Sequence, residues 1–318
     1  MTNTNISVDF VIPTLNEEVN LQLLLASIAE QELNEHVKIS KIIVVDNGSQ
    51  DRTLEIAGNY GATTFSKPGF SIAALRNYGA KTATADIIIF SDADIILNKD
   101  VVKNIVLLLR SEHLSALGPD GYMPYGTATW IQKIWYYHLT TPSKQTHTTE
   151  VYNLSSGLFA IKSKIFTEIG GFNSALSIGE DSEISRRLIK NGHILVKSNK
   201  IIVYTTGYAN CIKNFVQREM WHGDSFKHLA VHRNIDLLTI YILTNSLMWV
   251  SLIVVFLYTK SLEYLAINAA FIIIVPLYKA LIKTKTINIA YVQLAFVYVL
   301  YSLSRSIALF KVSKSNYL

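Results

Sequence analysis

Three short apolar runs, Val8 to Ile12, Lys41 to Val45 and Ile87 to Phe90, alternate with longer stretches of helical spacing in the first part of the chain. Each run is compact rather than alternating, the pattern of a strand buried on both faces. Such strands need helices over both faces, and the intervening stretches Glu18 to Ile28, Asp51 to Tyr60 and Ser71 to Thr82 have the spacing to supply them. Strand–helix–strand repetition of this period predicts an α/β domain with a Rossmann-like, mostly parallel, doubly wound sheet. Asp100 to Arg110 and Asp181 to Asn191 also read as helices, the second stopped by Gly192. Thr129 to Leu139 lines up Trp130, Ile131, Ile134, Trp135 and His138 on one face. That face suits a helix packed on the core, or an aromatic-rich helix at a membrane interface or beside a lipid acceptor.

Charged residues thin out after Arg233. Leu237 to Tyr258 carries no charge and as a helix would reach ~33 Å, enough for a bilayer core. A second apolar segment runs from Leu265 to Tyr278, or to Ile282, and contains Pro276; a third runs from Ile287 to Leu303 and stops near Arg305. The expected division is residues 1–233 as a catalytic domain and 234–318 as a membrane region of two or three transmembrane helices. Lys213, Arg218, Lys227 and Arg233 precede the apolar tail, as suits a cytoplasmic membrane face or simply a solvated helix. No basic stretch followed by an apolar one opens the chain, so the first domain is expected in the cytoplasm, at the inner face of the cell membrane. Two spans place Lys279, Lys283 and Lys285 inside, but a third crossing would export Arg305, Lys311 and Lys314. Length and apolarity favour three spans, the expected arrangement; charge favours two followed by a re-entrant or interfacial helix.

The net charge is +5, yet the basic residues form no stripe with interleaved aromatics, so nucleic acid is not an expected partner. The single cysteine, Cys211, excludes an intramolecular disulfide. No G-x-G-x-x-G follows the first strand and no G-x-x-x-x-G-K-[ST] or G-x-S-x-G occurs, which argues against dinucleotide redox, P-loop and serine hydrolase chemistry.

Carboxylates stand at the ends of the expected elements. Asp92 and Asp94, in SDAD after the third run, can chelate a hard divalent cation bridging phosphate oxygens, or can cap a polar turn. Asp46, at the end of the second run, can accept from a nucleoside base or ribose, or can organise the Asn-Gly turn that follows. Glu180 and Asp181 open a helix in which Glu183 and Arg187 form an i,i+4 pair; one carboxylate can face the cleft as a general base, or all can be ordinary helix-terminus residues.

Together the fragments VIPTLNEE, IIVVDNGSQDRT, RNYGAKTATADIIIFSDADI, the SSG of Ser155 to Gly157 and GGFNSALSIGEDSEISRRLIKNG resemble the inverting glycosyltransferases of family two, with the GT-A fold. The resemblance implies that Pro13, Thr14, Asn16 and Glu17 line the nucleoside pocket, that Asp46 reads the base, and that Arg76 lies near the nucleotide. It gives Asp94, and less directly Asp92, a Mn²⁺ or Mg²⁺ ion against the diphosphate. It places Ser156, Gly157, Glu180 and Trp221 beside the acceptor and makes Asp181 the general base. The implied donor is a nucleotide-sugar, a UDP-sugar above others, and the implied acceptor a lipid-linked or glycan hydroxyl. Polymerising relatives often carry Gln-x-x-Arg-Trp; here Gln217 to Trp221 reads QREMW, with Met220 in place of the second arginine. His222 either touches the diphosphate or metal, or is structural. Transfer to a polyprenyl phosphate is the nearest alternative and needs no base. A nucleotidyltransferase lacks its Gly-rich opening here, and a non-catalytic scaffold has no use for carboxylates at these ends.

Overall fold

The computed structural model describes residues 5–110, 113–139, 147–176, 178–223, 237–260 and 262–310. Lys227, Arg233, Lys311 and Lys314, counted above for their charge, lie outside the described residues. The chain divides into two compact units, Met1–Gly126 with Thr140–Gly207, and Thr127–Leu139 with Tyr208–Leu318.

The first unit runs β1 (Ile6–Thr14), α1 (Glu18–Ala29), β2 (Val37–Asp46), α2 (Thr53–Asn59), β3 (Thr63–Ser66), α3 (Ile72–Thr82), β4 (Ile87–Ser91), β5 (Ile95–Leu97), α4 (Val101–Leu109), β6 (Leu114–Pro119) and β7 (Tyr122–Pro124). After α5 (Trp130–Leu139), which belongs to the second unit, it resumes with β8 (Thr148–Glu150), β9 (Leu158–Lys162), α6 (Ser163–Glu168), α7 (Glu180–Lys190), β10 (Ile194–Ser198) and β11 (Val203–Thr205). Eight strands form one sheet in the order β3-β2-β1-β4-β9-β6-β10-β8, and β5-β11-β7 form a second. β3, β2, β1 and β4 are parallel, whereas β9 runs antiparallel to both β4 and β6.

The solid apolar runs have the physical cause expected of them. Val8, Phe10 and Ile12 of β1 face one core with Leu21, Leu24, Leu25 and Ile28 of α1, and Val11 faces the other with Ala73 and Leu75 of α3. Both faces are covered, so neither can be polar. Packing on the second face is tight enough to select glycine: a Cβ on Gly79 would lie 2.5 Å from Val11 Cγ1.

The strand order reverses between β1 and β4, and a crevice opens beyond the carboxyl ends at such a point. Register levels those ends, with Thr14 beside Asp46 and Val11 beside Phe90. PTLNEE, DNGSQDRT and SDAD thus meet at one sheet edge.

The second unit contains α5, α8 (Ile212–Gly223), α9 (Leu237–Thr259), α10 (Leu262–Thr284) and α11 (Ile289–Phe310). α11, the third expected span, is covered by α5 and α8. Glu219 on α8 pairs with Arg305 at 2.9 Å, both nearly buried, and Gly223 admits Ala308, whose Cβ would sit 2.6 Å from a Cβ there. On α5, His138 Nδ1 and Tyr298 Oη are 2.7 Å apart, and the Trp135 ring packs on Tyr301 and Phe215. Among the described residues no helix is long and apolar enough to cross a membrane, so the two or three expected spans are not shown. α9 nevertheless runs 23 residues with no acidic or basic side chain, and several of its side chains fall outside the described set.

Candidate active site

At the carboxyl ends of β1 and β2, the loops brace one another. Pro13 and Thr14 are buried, and Asn16 takes a left-handed φ of 54°, a conformation that asparagine tolerates better than most side chains. Its backbone N–H donates to Ser49 Oγ at 2.8 Å, and its Oδ1 accepts from the Gln50 N–H at 2.8 Å. Asp46 is fully buried. Its Oδ1 accepts from the hydroxyls of Thr14 and Ser49, and its Oδ2 from the N–H groups of Gly48 and Ser49 at 2.8 Å. A carboxylate has about four acceptor positions, and here Thr14 at the end of β1 and the loop after β2 supply a donor to each. Asp46 therefore organises the turn that follows β2. Beside it, Asn47 Oδ1 is buried without a hydrogen-bond partner. Glu17 accepts from Asn20 Nδ2 at 2.7 Å. Burial raises the Glu17 pKa; the Asn20 bond opposes this, and the charges of Asp92 and Asp51 add to it.

The SDAD loop is held from three sides. The Asp92 N–H donates to the Gly157 carbonyl at 3.0 Å, and the Thr206 N–H donates to the Asp94 carbonyl at 3.1 Å. Asp94 Oδ2 accepts from Thr205 Oγ1 at 3.1 Å. Gly207 leaves room for that carboxylate, since a Cβ there would lie 1.9 Å from Asp94 Oδ2. Thr206 Oγ1 also donates to Asn20 Oδ1 at 2.8 Å, which ties this loop to Glu17 through Asn20. No cluster of three or more His, Cys, Asp or Glu side chains suited to a metal occurs among the described residues. Asp92 and Asp94 still fit a Mg²⁺- or Mn²⁺-type ion: such ions are commonly held by one or two carboxylates, with substrate phosphates and water completing the shell. The space that Gly207 keeps clear is consistent with that use.

Arg76 of α3 is the largest fully buried side chain in the site. Its Nη1 donates to Glu180 Oε1 and its Nη2 to Asp92 Oδ1, each at 2.6 Å. Ser156 Oγ donates to the same Glu180 oxygen at 3.2 Å. The resemblance put Arg76 near the nucleotide and Ser156, Gly157 and Glu180 beside the acceptor. In the structure all four are buried, with the arginine linking two carboxylates. Asp181 is adjacent and only partly covered. Burial and then the Glu180 charge raise its pKa above the ordinary carboxylate value. A base gains from a pKa moved toward ambient pH.

The other motif residues hold this arrangement. Asn77, next to Arg76, clasps Phe172 through both its backbone groups, N–H to Oδ1 at 2.9 Å and Nδ2 to carbonyl at 2.7 Å. Arg187 binds the carbonyls of Ile169 and Gly171 as well as Glu183, so the i,i+4 pair also anchors the turn before α7. Trp221 and His222 belong to the second unit. Trp221 is exposed and stacks near His222, whose pKa falls to about 3 through burial and the charges of Arg305 and Arg218.

Fold and site together define an α/β enzyme with carboxylates gathered at the switch point of its sheet. The chain belongs to glycosyltransferase family 2: the profile described as Glycosyl transferase family 2 matches residues 9–170. It is 24% identical over 285 residues to the O-antigen chain rhamnosyltransferase RfbN of Salmonella typhimurium, covering 81% of this chain and 88% of that protein. It is 35% identical over 114 residues to the uncharacterized glycosyltransferase YfnE of Bacillus subtilis, a match over 34% of this chain and only 28% of that one. Among solved structures, the mannosyltransferase PcManGT of Pyrobaculum calidifontis, in complex with GDP-Man and Mn²⁺, superposes with a TM-score of 0.61 at 16% identity, covering 94% of this chain and 86% of that one. At that identity the likeness speaks for the fold.

Proposed function

We propose that this glycosyltransferase moves a sugar from a nucleotide diphosphate sugar, a UDP-sugar above others, to a hydroxyl of a membrane-associated glycolipid or polysaccharide precursor, with inversion. The observation that carries the reading is the convergence of Asp92 with Glu180 and its neighbour Asp181 around one buried arginine at the switch point. The loops after β1 and β2 hold the nucleoside. A divalent cation on Asp94 and Asp92 would neutralise the charge that builds on the leaving diphosphate. Asp181 takes the proton of the acceptor hydroxyl; the freed oxygen bonds to the anomeric carbon as the bond to diphosphate breaks. One base and one displacement leave no need for a covalent intermediate. The alternative is a polyprenyl-phosphate acceptor, which is already ionised and needs no base.

Membrane attachment is supported by the large apolar side chains that the second unit leaves uncovered, Leu247, Leu257, Ile274 and Ile289 among them. Such a surface on a soluble monomer would be a liability. Because α5 and α8 cover α11, the favoured arrangement is now α9 and α10 in the bilayer and α11 at its cytoplasmic face. A cysteine at Ser315 in a Cys211→Ser background would then react with an impermeant thiol reagent only after the membrane is opened; labelling of intact cells would restore three spans.

The direct test of the reaction is a nucleotide-sugar panel with Mn²⁺, scored by protection from thermal unfolding and by transfer to membrane lipid extracts. One donor should raise the unfolding temperature as mass action requires. Protection by none would remove the nucleotide-sugar reading.

A further inference from the structure

We propose that Arg76 is a positioning residue that couples the metal-side carboxylate Asp92 to the base-side carboxylate Glu180, so that the two halves of the reaction are set by one buried group. The inference rests on the glycosyl-transfer reading above and gives Arg76 a role exerted through the two carboxylates it bonds.

Three carboxylates, Asp92, Glu180 and Asp181, crowd the site, and the Arg76 guanidinium is the cation bonded to the first two. Glu180 is 6% exposed and Arg76 is fully buried, so neither charge has water to screen it. A buried charge left without its partner is strongly destabilising, which is why the fork must meet both carboxylates at once. Guanidinium geometry is planar and rigid, so bonding one terminal nitrogen to Asp92 and the other to Glu180 fixes the two against each other. Asp92 stands at the end of β4, and Glu180 opens α7 one residue before Asp181. A shift of the SDAD loop is thereby carried to the first turn of α7, where the base sits.

The surroundings point the same way. Asn77, the next residue of α3, holds the Phe172 backbone at the turn before α7, and the Phe172 ring lies 5.6 Å from Arg76 Cζ. Ser156 supplies a second donor to Glu180, while Gly157, its neighbour, accepts from the Asp92 N–H. Two paths, one through the arginine and one through the SSG turn, thus join the same pair of carboxylates. A surface cation steering a diphosphate would be exposed and free to move; this one is neither.

The test is Arg76→Lys, which keeps the charge and loses the fork. UDP–Mn²⁺ binding by calorimetry should stay within ~3-fold of wild type and the donor KM should change little, while kcat falls ~10²-fold, because an interaction that sets transition-state geometry is lost. Glu180→Gln should show the same split, and the double variant should be no slower than about twofold below the worse single, since coupled residues are non-additive. Wild-type kcat in Arg76→Lys, or a loss confined to UDP–Mn²⁺ affinity, overturns the proposal, as does additivity in the double variant. Should Arg76→Lys fail to fold, Glu180→Gln alone decides: wild-type kcat there is equally fatal. Asp181→Asn separates the two levels. If it transfers normally, the base reading falls; if it is inert while Arg76→Lys is fully active, only the coupling falls.

Discussion

In the first unit, polar side chains at the sheet's carboxyl edge are tied into a web: Asp46 by Thr14, Gly48 and Ser49, Asp92 and Glu180 by Arg76, Asp94 by Thr205, Glu17 by Asn20. In the second unit the apolar side chains are what stand out. Leu247 is 69% and Ile289 72% exposed, while two polar pairs, Glu219 with Arg305 and Ser246 with Ser306, cross between helices. The first unit uses its polarity to hold a site, and the second leaves large apolar side chains exposed. A polar group is thus informative by what it bonds, and an apolar one by what fails to cover it.

The sharpest way to break this comparison is at the metal side. On the proposed metal role, Asp94→Ala should abolish Mn²⁺-dependent donor binding, a loss of ~10²-fold or more in affinity, while the fold persists. Unchanged UDP–Mn²⁺ affinity by calorimetry would take the metal out of the site.

Next in size is a contrast between two leucines. Leu158 is fully buried in β9, and Leu158→Ala should cost about 2–5 kcal/mol in denaturant unfolding. Leu247→Asn should cost within about 0.5 kcal/mol, as an exposed change does, yet reduce co-sedimentation with lipid vesicles. Equal costs would erase the distinction between a covered and an uncovered apolar face.

How much of this was legible beforehand follows from range. The three buried strands and the helices beside them announce themselves because both faces are covered and period-free apolar runs result. β9 escaped, since LFAIK is short and nothing local says that it inserts antiparallel between β4 and β6. The Asp46 turn was readable from the Asn-Gly that follows it, but its bond to Thr14, 32 residues away, was not. Arg76 as a buried link was not readable, because an arginine inside a helix resembles a solvated one and its partners lie 16 and 104 residues away. The cover over α11 was hidden likewise: apolarity along a helix is the same whether lipid or α8 meets it.

A smaller effect sharpens the metal side further. Gly207→Ala should push Asp94 aside and raise the Mn²⁺ concentration needed for half-maximal donor binding by ~10-fold, with little change in unfolding temperature. A large drop in stability without a metal effect would make Gly207 a packing residue.

The smallest effect is on pH. As the proposed base Asp181 would work ionised, so activity should rise as pH climbs through its pKa, which burial raises above the ordinary carboxylate value. Glu180→Gln removes a negative neighbour that raises this pKa, so the acid limb of kcat/KM should move to lower pH. A limb that stays put would mean that some other group titrates.

The most direct test of glycosyl transfer with Asp181 as base is single-turnover transfer by Asp181→Asn, run beside calorimetric UDP–Mn²⁺ binding. Donor affinity should stay within ~3-fold of wild type while transfer falls by ~10²-fold or more, because only proton removal is lost. Transfer at the wild-type rate, with the donor bound normally, would contradict it.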